Sequence, residues 1–490
     1  MLNKALILAS CAAVVSSGST VSLPDDFILG TATAAYQIEG AATEGGRMWS
    51  IWDTFSHIEG NTFNNETGDV ACDHYHHVDD DIELMKAMGL KHYRMSISWP
   101  RIMPTGTYPI NEEGVKFYDD LFTKLIAAGI EPAVTLYHWD LPQELDNSMG
   151  GWLNASITDY FVDYAEFCIK HFGAKYNVKY WITFNEPLTF VNLGYSEGTH
   201  APGRCTDCDR GDSSTEPYIV AHNVLNAHAA TYRMYKATDQ GADGKMGITL
   251  NSVWGEPLDS TDATSVEAAE RFVEFELAWY ADPIFLGDYP AVMKARVGDR
   301  LPTFTKAEKE ALLGAQDFFG LNHYTSKFIA SSGESGGDSW GGDCGTTSYT
   351  KDLDGNPIGA DSDSSWLKVV PWGFRKSLNW VKDRYDSPTI IVTENGVSVP
   401  GESDAALEDA LADSFRIDFY SQYIGNMSLA ISEDGVDVAG YFAWSFMDNF
   451  EWTDGYNVRF GMHYVDYDTE TRYAKDSSKW YKDVIANNGW

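Results

Sequence analysis

The chain is predicted to form a single α/β domain, a (β/α)8 TIM barrel with long βα loops. Three observations carry the expectation: eight short β-rich runs, amphipathic helical stretches between them, and no Pro/Ser-rich linker, low-complexity tract or short repeat to divide the chain. The 490 residues exceed a minimal barrel of about 250, so loops must hold the excess. The longest loop candidate is the Gly/Ser/Asp-rich stretch 326–365. A doubly wound open sheet is the main competitor. No GxGxxG or GxxxxGK[ST] follows any strand, so a nucleotide-binding version would lack its phosphate loop.

The β-rich runs are FILGTAT (27–33), HYRMSIS (92–98), PAVTLYH (132–138), YWITFN (180–185), MGITLNS (246–252), FFGLNHYT (318–325), TIIVTEN (389–395) and VAGYFAWSF (438–446). Between them, DIELMKAMG (81–89), EGVKFYDDLFTKLIAAG (113–129) and ITDYFVDYAEFCIKHFG (157–173) place apolar residues three and four apart, with a glycine near each end. The first 20 residues read as a secretory signal peptide: Lys4, an apolar stretch through Val15, then small residues. That assigns 1–20 to the leader, 21–490 to the barrel and the protein to the extracellular space.

Lys and Arg total 35 against 72 for Asp and Glu, a formal charge of −37. Such a surface repels nucleic acid and anionic membranes and disfavours polyanionic substrates. Outside the leader no run is long and apolar enough to span a bilayer. Five cysteines remain after the leader, so at least one thiol stays unpaired. Cys205 and Cys208 form either a local loop disulfide or free thiols. Asn65, Asn154 and Asn426 head glycosylation sequons, which matter only if a eukaryote secretes the chain.

In a barrel the active site forms at the C-terminal ends of the strands. Here those ends carry Gln37, Arg94, His138 with Trp139, Asn185 with Glu186, Asn322 with Tyr324, Glu394, and Trp444 before Glu451 and Trp452. Singly, each has a bland reading: a carboxylate after a strand is usually a helix cap and a Trp is usually core. Closure of a barrel gathers all of them at one mouth. Glu186 precedes Pro187, which turns the chain out of its strand, and Glu394 precedes Gly396, which permits a tight turn. Two carboxylates among Trp, Tyr, His and Asn suit glycoside hydrolysis, one acting as acid and one as nucleophile or stabiliser. CDHYHHVDDD (72–81) imitates a metal site, but its position before an apolar helix favours Asp73 as helix cap.

The chain resembles the family 1 glycoside hydrolases, the β-glucosidase group. The likeness runs from FILGTATAAYQIEGA to RFGMHYVDYDTETRYAKDSSKWY through YRMSISWPRI, TLYHWDLPQEL, TFNEP, STEPYIVAHN, LNHYT, VTENG and AWSFMDNFEW. The resemblance implies Glu186 as acid/base and Glu394 as nucleophile. It implies Gln37, His138, Asn185, Trp444, Glu451, Trp452 and Phe460 as holders of the nonreducing sugar. Arg94 and Tyr324 match neighbours of the nucleophile, Asn322 supports them, and Trp366 resembles an aromatic wall of the leaving-group site. Arg94 is expected to favour a charged nucleophile, while the second carboxylate helps keep Glu186 protonated. The presence of Glu451 implies an unphosphorylated glycone, and Glu186 sets the chain apart from myrosinase-like members, which have Gln there.

The expected activity is that of a retaining, exo-acting β-glucosidase on cello-oligosaccharides or aryl and alkyl glucosides. The alternatives are a broader β-glycosidase, a transglycosylase, and a catalytically silent sugar-binding relative. The expected partner is a small oligosaccharide or glucoside, with neither cofactor nor metal. Oligomeric state stays open.

Overall fold

The computed structural model describes residues 21–333 and 336–490; the proposed leader lies outside them. Eight parallel strands close into a barrel: β1 (Ile28–Ala32), β2 (His92–Ser96), β3 (Glu131–Tyr137), β4 (Tyr180–Asn185), β5 (Lys245–Asn251), β6 (Phe318–Asn322), β7 (Ile390–Asn395) and β8 (Val438–Trp444). Each pairs with its neighbours in sequence, and β8 closes on β1 through Ile28↔Gly440 to Ala32↔Trp444. All eight expected runs are strands. Several runs overshoot: His138, Tyr324 and Ser445 lie just past the last paired residue, because apolar and aromatic residues continue into the loops.

Amphipathic helices cover the barrel. The helix Glu112–Ala127 buries Val115, Tyr118, Leu121, Phe122 and Leu125, the three-and-four spacing of one face. Full burial of each large apolar side chain stabilises the fold by roughly 1.5–3 kcal/mol. The 157–173 stretch does not stop at Gly173. Its helix continues through a π-helical segment to Tyr176 and ends at Asn177, whose φ of 56° supplies the left-handed turn. At Gly173 a Cβ would come within 3.2 Å of the Trp181 ring, so close packing accounts for that glycine.

Four local expectations need correction. Asp73 stands at the start of the helix His74–Ala87, but its side chain caps no backbone N–H. It bonds the His76 ring instead (2.7 Å), while buried His74 pairs with Asp81 (2.7 Å), which Arg472 also engages. Ligand atoms of Asp73, His77 and Glu470 lie within 4.8 Å of one another, and the His77–Glu470 ion pair at 3.1 Å accounts for that contact. Second, the 326–365 stretch is not bare loop. It holds strands Ser326–Ser331 and Thr346–Tyr349 and the helix Trp340–Cys344. Third, Asn426 is buried within the helix Ser414–Ser432, which leaves no room for a glycan. Fourth, Gly396 is needed for space, not for its φ: a Cβ there would sit 1.8 Å from the Trp444 carbonyl oxygen.

Cys205 and Cys208 form a loop disulfide, and Cys72, Cys168 and Cys344 are buried free thiols. Among the described residues no helix is long and apolar enough to cross a membrane.

Candidate active site

Backbone irregularity aims the two glutamates. The β4–β5 register shifts between Ile182 and Asn185, and the β7–β6 register shifts between Val392 and Glu394. Such bulges turn a strand end and redirect its side chains. Glu186 follows at φ 48°, an uncommon conformation for a non-glycine residue, and Pro187 begins the next helix where a missing N–H does no harm. Trp139 and Trp452 also take positive φ at the same mouth (77° and 50°). Three such residues at one rim mark where the fold holds strain in place.

Arg94 is the hub. It is fully buried in β2 between register partners Ala32 and Ala133, whose small side chains leave it room. Its Nη1 donates to Glu394 Oε1 (2.5 Å) and its Nη2 to Asn185 Oδ1 (2.7 Å). Asn322 Nδ2 donates to both Asn185 Oδ1 (3.2 Å) and Glu186 Oε1 (2.7 Å). The two glutamates are thus joined by an unbroken chain of hydrogen bonds through Asn322, Asn185 and Arg94. Tyr324 Oη donates to Glu394 Oε2 (2.8 Å), and Thr189 Oγ1 to Glu186 Oε2 (2.8 Å).

This chain also sets the tautomer of His138. With Asn185 Oδ1 taken by two donors, its Nδ2 faces His138 Nε2 at 3.0 Å and must donate to it. Burial, helped by the positive Arg94, holds His138 well below the usual imidazole range. The ring is neutral and carries its proton on Nδ1.

A pocket of about 640 Å³ opens over these groups. It is lined by Gln37, His138, Asn185, Glu186, Asn322, Tyr324, Trp366, Glu394, Trp444, Glu451, Trp452 and Phe460. Of the site residues expected from the sequence, only Arg94 is not in the lining; it lies behind Glu394 with no exposure. Gln37 is clamped by donating to Asn449 Oδ1 (2.8 Å) and the Phe450 carbonyl (2.9 Å). Trp452 stacks on Tyr36 (6.0 Å between centroids) and on His138 (5.9 Å). Trp366, 43% exposed, stands at the other end, edge-on to Tyr324.

A model of glycosyl hydrolase family 1 matches residues 19–490. The chain belongs to that family. It is 46% identical over 494 residues to β-glucosidase 6 of Oryza sativa subsp. japonica, covering 98% of this chain and 94% of that protein. A family 1 β-glucosidase from the fungus Humicola insolens, solved in complex with glucose, superposes with a TM-score of 0.93 at 44% identity, covering 95% of this chain and 99% of the other. A rice β-glucosidase mutant solved in a covalent complex with Glc superposes at 0.91, with 45% identity and the same coverage. The protein is an O-glycosyl hydrolase of the retaining β-glucosidase type.

The family 1 pocket is short of positive charge. Burial first, and then the negative Glu394, push Glu186 up to about 7. Burial also raises Glu451 well above the carboxylate range, with Asp454, Glu394 and Glu186 adding to the effect. Tyr324 is pushed far above its usual range by burial and the two glutamates, so it stays a neutral donor. Residues to which the sequence reading assigned no role also contribute. Trp139 donates its indole N–H to the Asn185 carbonyl (2.9 Å), and Thr189 lies one helical turn beyond Glu186. The outer wall adds Glu197, Glu276, Lys327 and Trp340. Trp139 stands among the strand-end residues the sequence brings to the mouth; the outer wall comes from distant segments with no shared pattern.

Proposed function

We propose that Glu394 is the nucleophile and Glu186 the acid/base of an exo-acting β-glucosidase that releases glucose from cello-oligosaccharides or aryl and alkyl glucosides. The observation that carries this reading is the unequal setting of the two carboxyls. One oxygen of Glu394 takes a guanidinium and the other a phenol, whereas Glu186 has only an amide and a hydroxyl and is pushed up to about 7. In the first step a Glu394 oxygen bonds to the anomeric carbon as the C1–O bond breaks. The departing oxygen keeps the bonding pair and takes the Glu186 proton. In the second, ionised Glu186 takes a proton from water, whose oxygen bonds to C1 and releases the Glu394 carboxylate. Two inversions give back the β configuration.

Exo action is supported by the shape of the pocket. Gln37, Trp444 and Trp452 are buried at one end and Trp366 is exposed at the other, so a sugar enters end-first. Glu451 and Gln37 present oxygens to the hydroxyls of the inner sugar, and the surplus of carboxylates there disfavours a phosphorylated one. We further propose that the first 20 residues direct export, which sequencing the N-terminus of secreted protein checks. The activity is tested by following digests of methyl β-cellobioside and 4-nitrophenyl β-glucoside by NMR, since neither leaving group is free glucose: β-glucose accumulates first and mutarotates later. Initial release of α-glucose overturns the mechanism, and internal cleavage of longer cello-oligosaccharides overturns exo action.

A further inference from the structure

The outer wall of the pocket is built by elements outside the barrel. Strands Trp254–Pro257, Ser326–Ser331 and Thr346–Tyr349 form a three-stranded sheet in which Gly255 faces Lys327 and Ile329 faces Ser348. Alternation along a strand puts Lys327 on the face of Ile329, which is fully buried. A Cβ on Gly255 would come within 3.1 Å of Ile329 and 2.9 Å of Phe272, so this face is tightly packed beneath the lysine.

Lys327 is half-buried and lines the pocket with Glu197 and Glu276. Its charge reaches both carboxylates. Both are bonded elsewhere: Glu276 accepts from the Val253 N–H (2.7 Å) and Ser252 Oγ (3.3 Å), and Glu197 from Asn192 Nδ2 (3.1 Å). The Lys327 ammonium has no hydrogen bond or ion pair with any described residue, although a partly desolvated ammonium gains from acceptors. It is the only Lys or Arg among the described lining residues, against the carboxylates of Glu186, Glu197, Glu276, Glu394, Glu451 and Asp454. Thr346 and Ser348 add hydroxyls to the same lining, and Trp366 adds an aromatic face. Beyond Lys327 the described lining offers an anionic leaving group no cation, and each of these carboxyls that ionises repels it. A neutral ring rich in hydroxyls offers the ammonium its acceptors and gives the carboxylates donors.

Resting on the β-glucosidase reading, we infer that Lys327 is a specificity-determining residue of the leaving-group side, donating hydrogen bonds to the hydroxyls of a neutral saccharide aglycone. The test compares kcat/KM for cellobiose with kcat/KM for 4-nitrophenyl β-glucoside, whose leaving group has no sugar hydroxyls. In Lys327→Met the cellobiose-to-nitrophenyl ratio falls by at least ~10-fold, the scale of one charge-assisted hydrogen bond. Lys327→Arg restores most of it. A general folding defect lowers both rates and leaves the ratio in place, so a smaller change in the ratio overturns the assignment. If the methionine variant does not fold, Lys327→Leu, which also donates no hydrogen bond, is judged by the same criterion. A third substrate, 4-carboxyphenyl β-glucoside, tests the charge argument: a selective loss there with cellobiose spared overturns hydroxyl recognition in favour of anion recognition. A wild-type protein inert to all three substrates removes the β-glucosidase reading itself, an outcome distinct from failure of the lysine assignment.

Discussion

Two buried charge networks lie within this barrel, and they are built on opposite plans. Beyond β7 and β8, Arg416 bonds Glu402 (2.6 Å) and Asp413 (2.5 Å), Lys475 bonds Glu402 (2.5 Å) and Asp448 (2.8 Å), and Arg459 bonds Asp448 (2.7 Å). Three cations meet three carboxylates. Burial works to raise Asp448, but Lys475, Arg459 and Arg416 overcome it and hold the carboxyl below its ordinary range. Beneath the inner pocket, Arg94 bonds one carboxyl, Glu394, while among the described residues Glu186 and Glu451 have no cation bonded to them. These surplus carboxyls are pushed toward their protonated forms. A balanced network stays charged and holds structure; an unbalanced one stores a proton, as acid catalysis at neutral pH needs.

The comparison breaks most visibly at the proposed nucleophile. Glu394→Ala is expected to lower kcat on every β-glucoside by on the order of 10⁴–10⁶, as loss of a covalent nucleophile does. Steady-state turnover of a nitrophenyl glucoside checks it, and near-wild-type activity would falsify the assignment. On the structural side, Arg416→Ala leaves Glu402 and Asp413 without their guanidinium and is expected to cost about 3–5 kcal/mol of stability. Denaturant unfolding measures it, and the alkaline limb of the pH profile should keep its midpoint in the folded fraction.

Glu186→Gln tests the stored proton from the other direction. The folded-state pKa of about 7 lies above the ordinary 4.5, so the folded chain holds the extra proton between those values and loses stability as pH rises through them. The glutamine removes that penalty. The variant should gain up to ~3 kcal/mol at pH 8 and little at pH 4, read from unfolding curves at both. The smallest effect is a shift of titration. In the wild type kcat/KM should fall above about 7 as free enzyme loses the Glu186 proton. The Thr189 hydroxyl favours the charged form, so Thr189→Val should move that limb upward by a few tenths of a pH unit. A downward shift contradicts the hydrogen bond's role.

Much of the site was legible in the sequence because barrel closure turns strand ends into neighbours. Asn185, Glu186, Asn322 and Glu394 follow runs whose β pattern is strong, and the chain needs no long-range information to bring them to one rim. What escaped had weaker local causes. Asp73 has the residue type of a cap, but His76 competes for its carboxylate. Gly396 looks like a turn glycine, yet its constraint is a carbonyl 48 residues further on, at Trp444. Asn426 fits a sequon by three letters, while its exclusion is set by the packing of a helix. Lys327, Glu197 and Glu276 come from separate segments whose meeting only the folded chain reveals.

The three-stranded sheet outside the barrel has an evolutionary consequence. Its strands pair with one another and not with β1 to β8. Mutations in it can accumulate without disturbing the register that aims Glu186 and Glu394. Selection for a new leaving group therefore has a module to work on, and chimaeras that exchange this appendage between relatives should transfer aglycone preference while inheriting the chemistry of the recipient barrel.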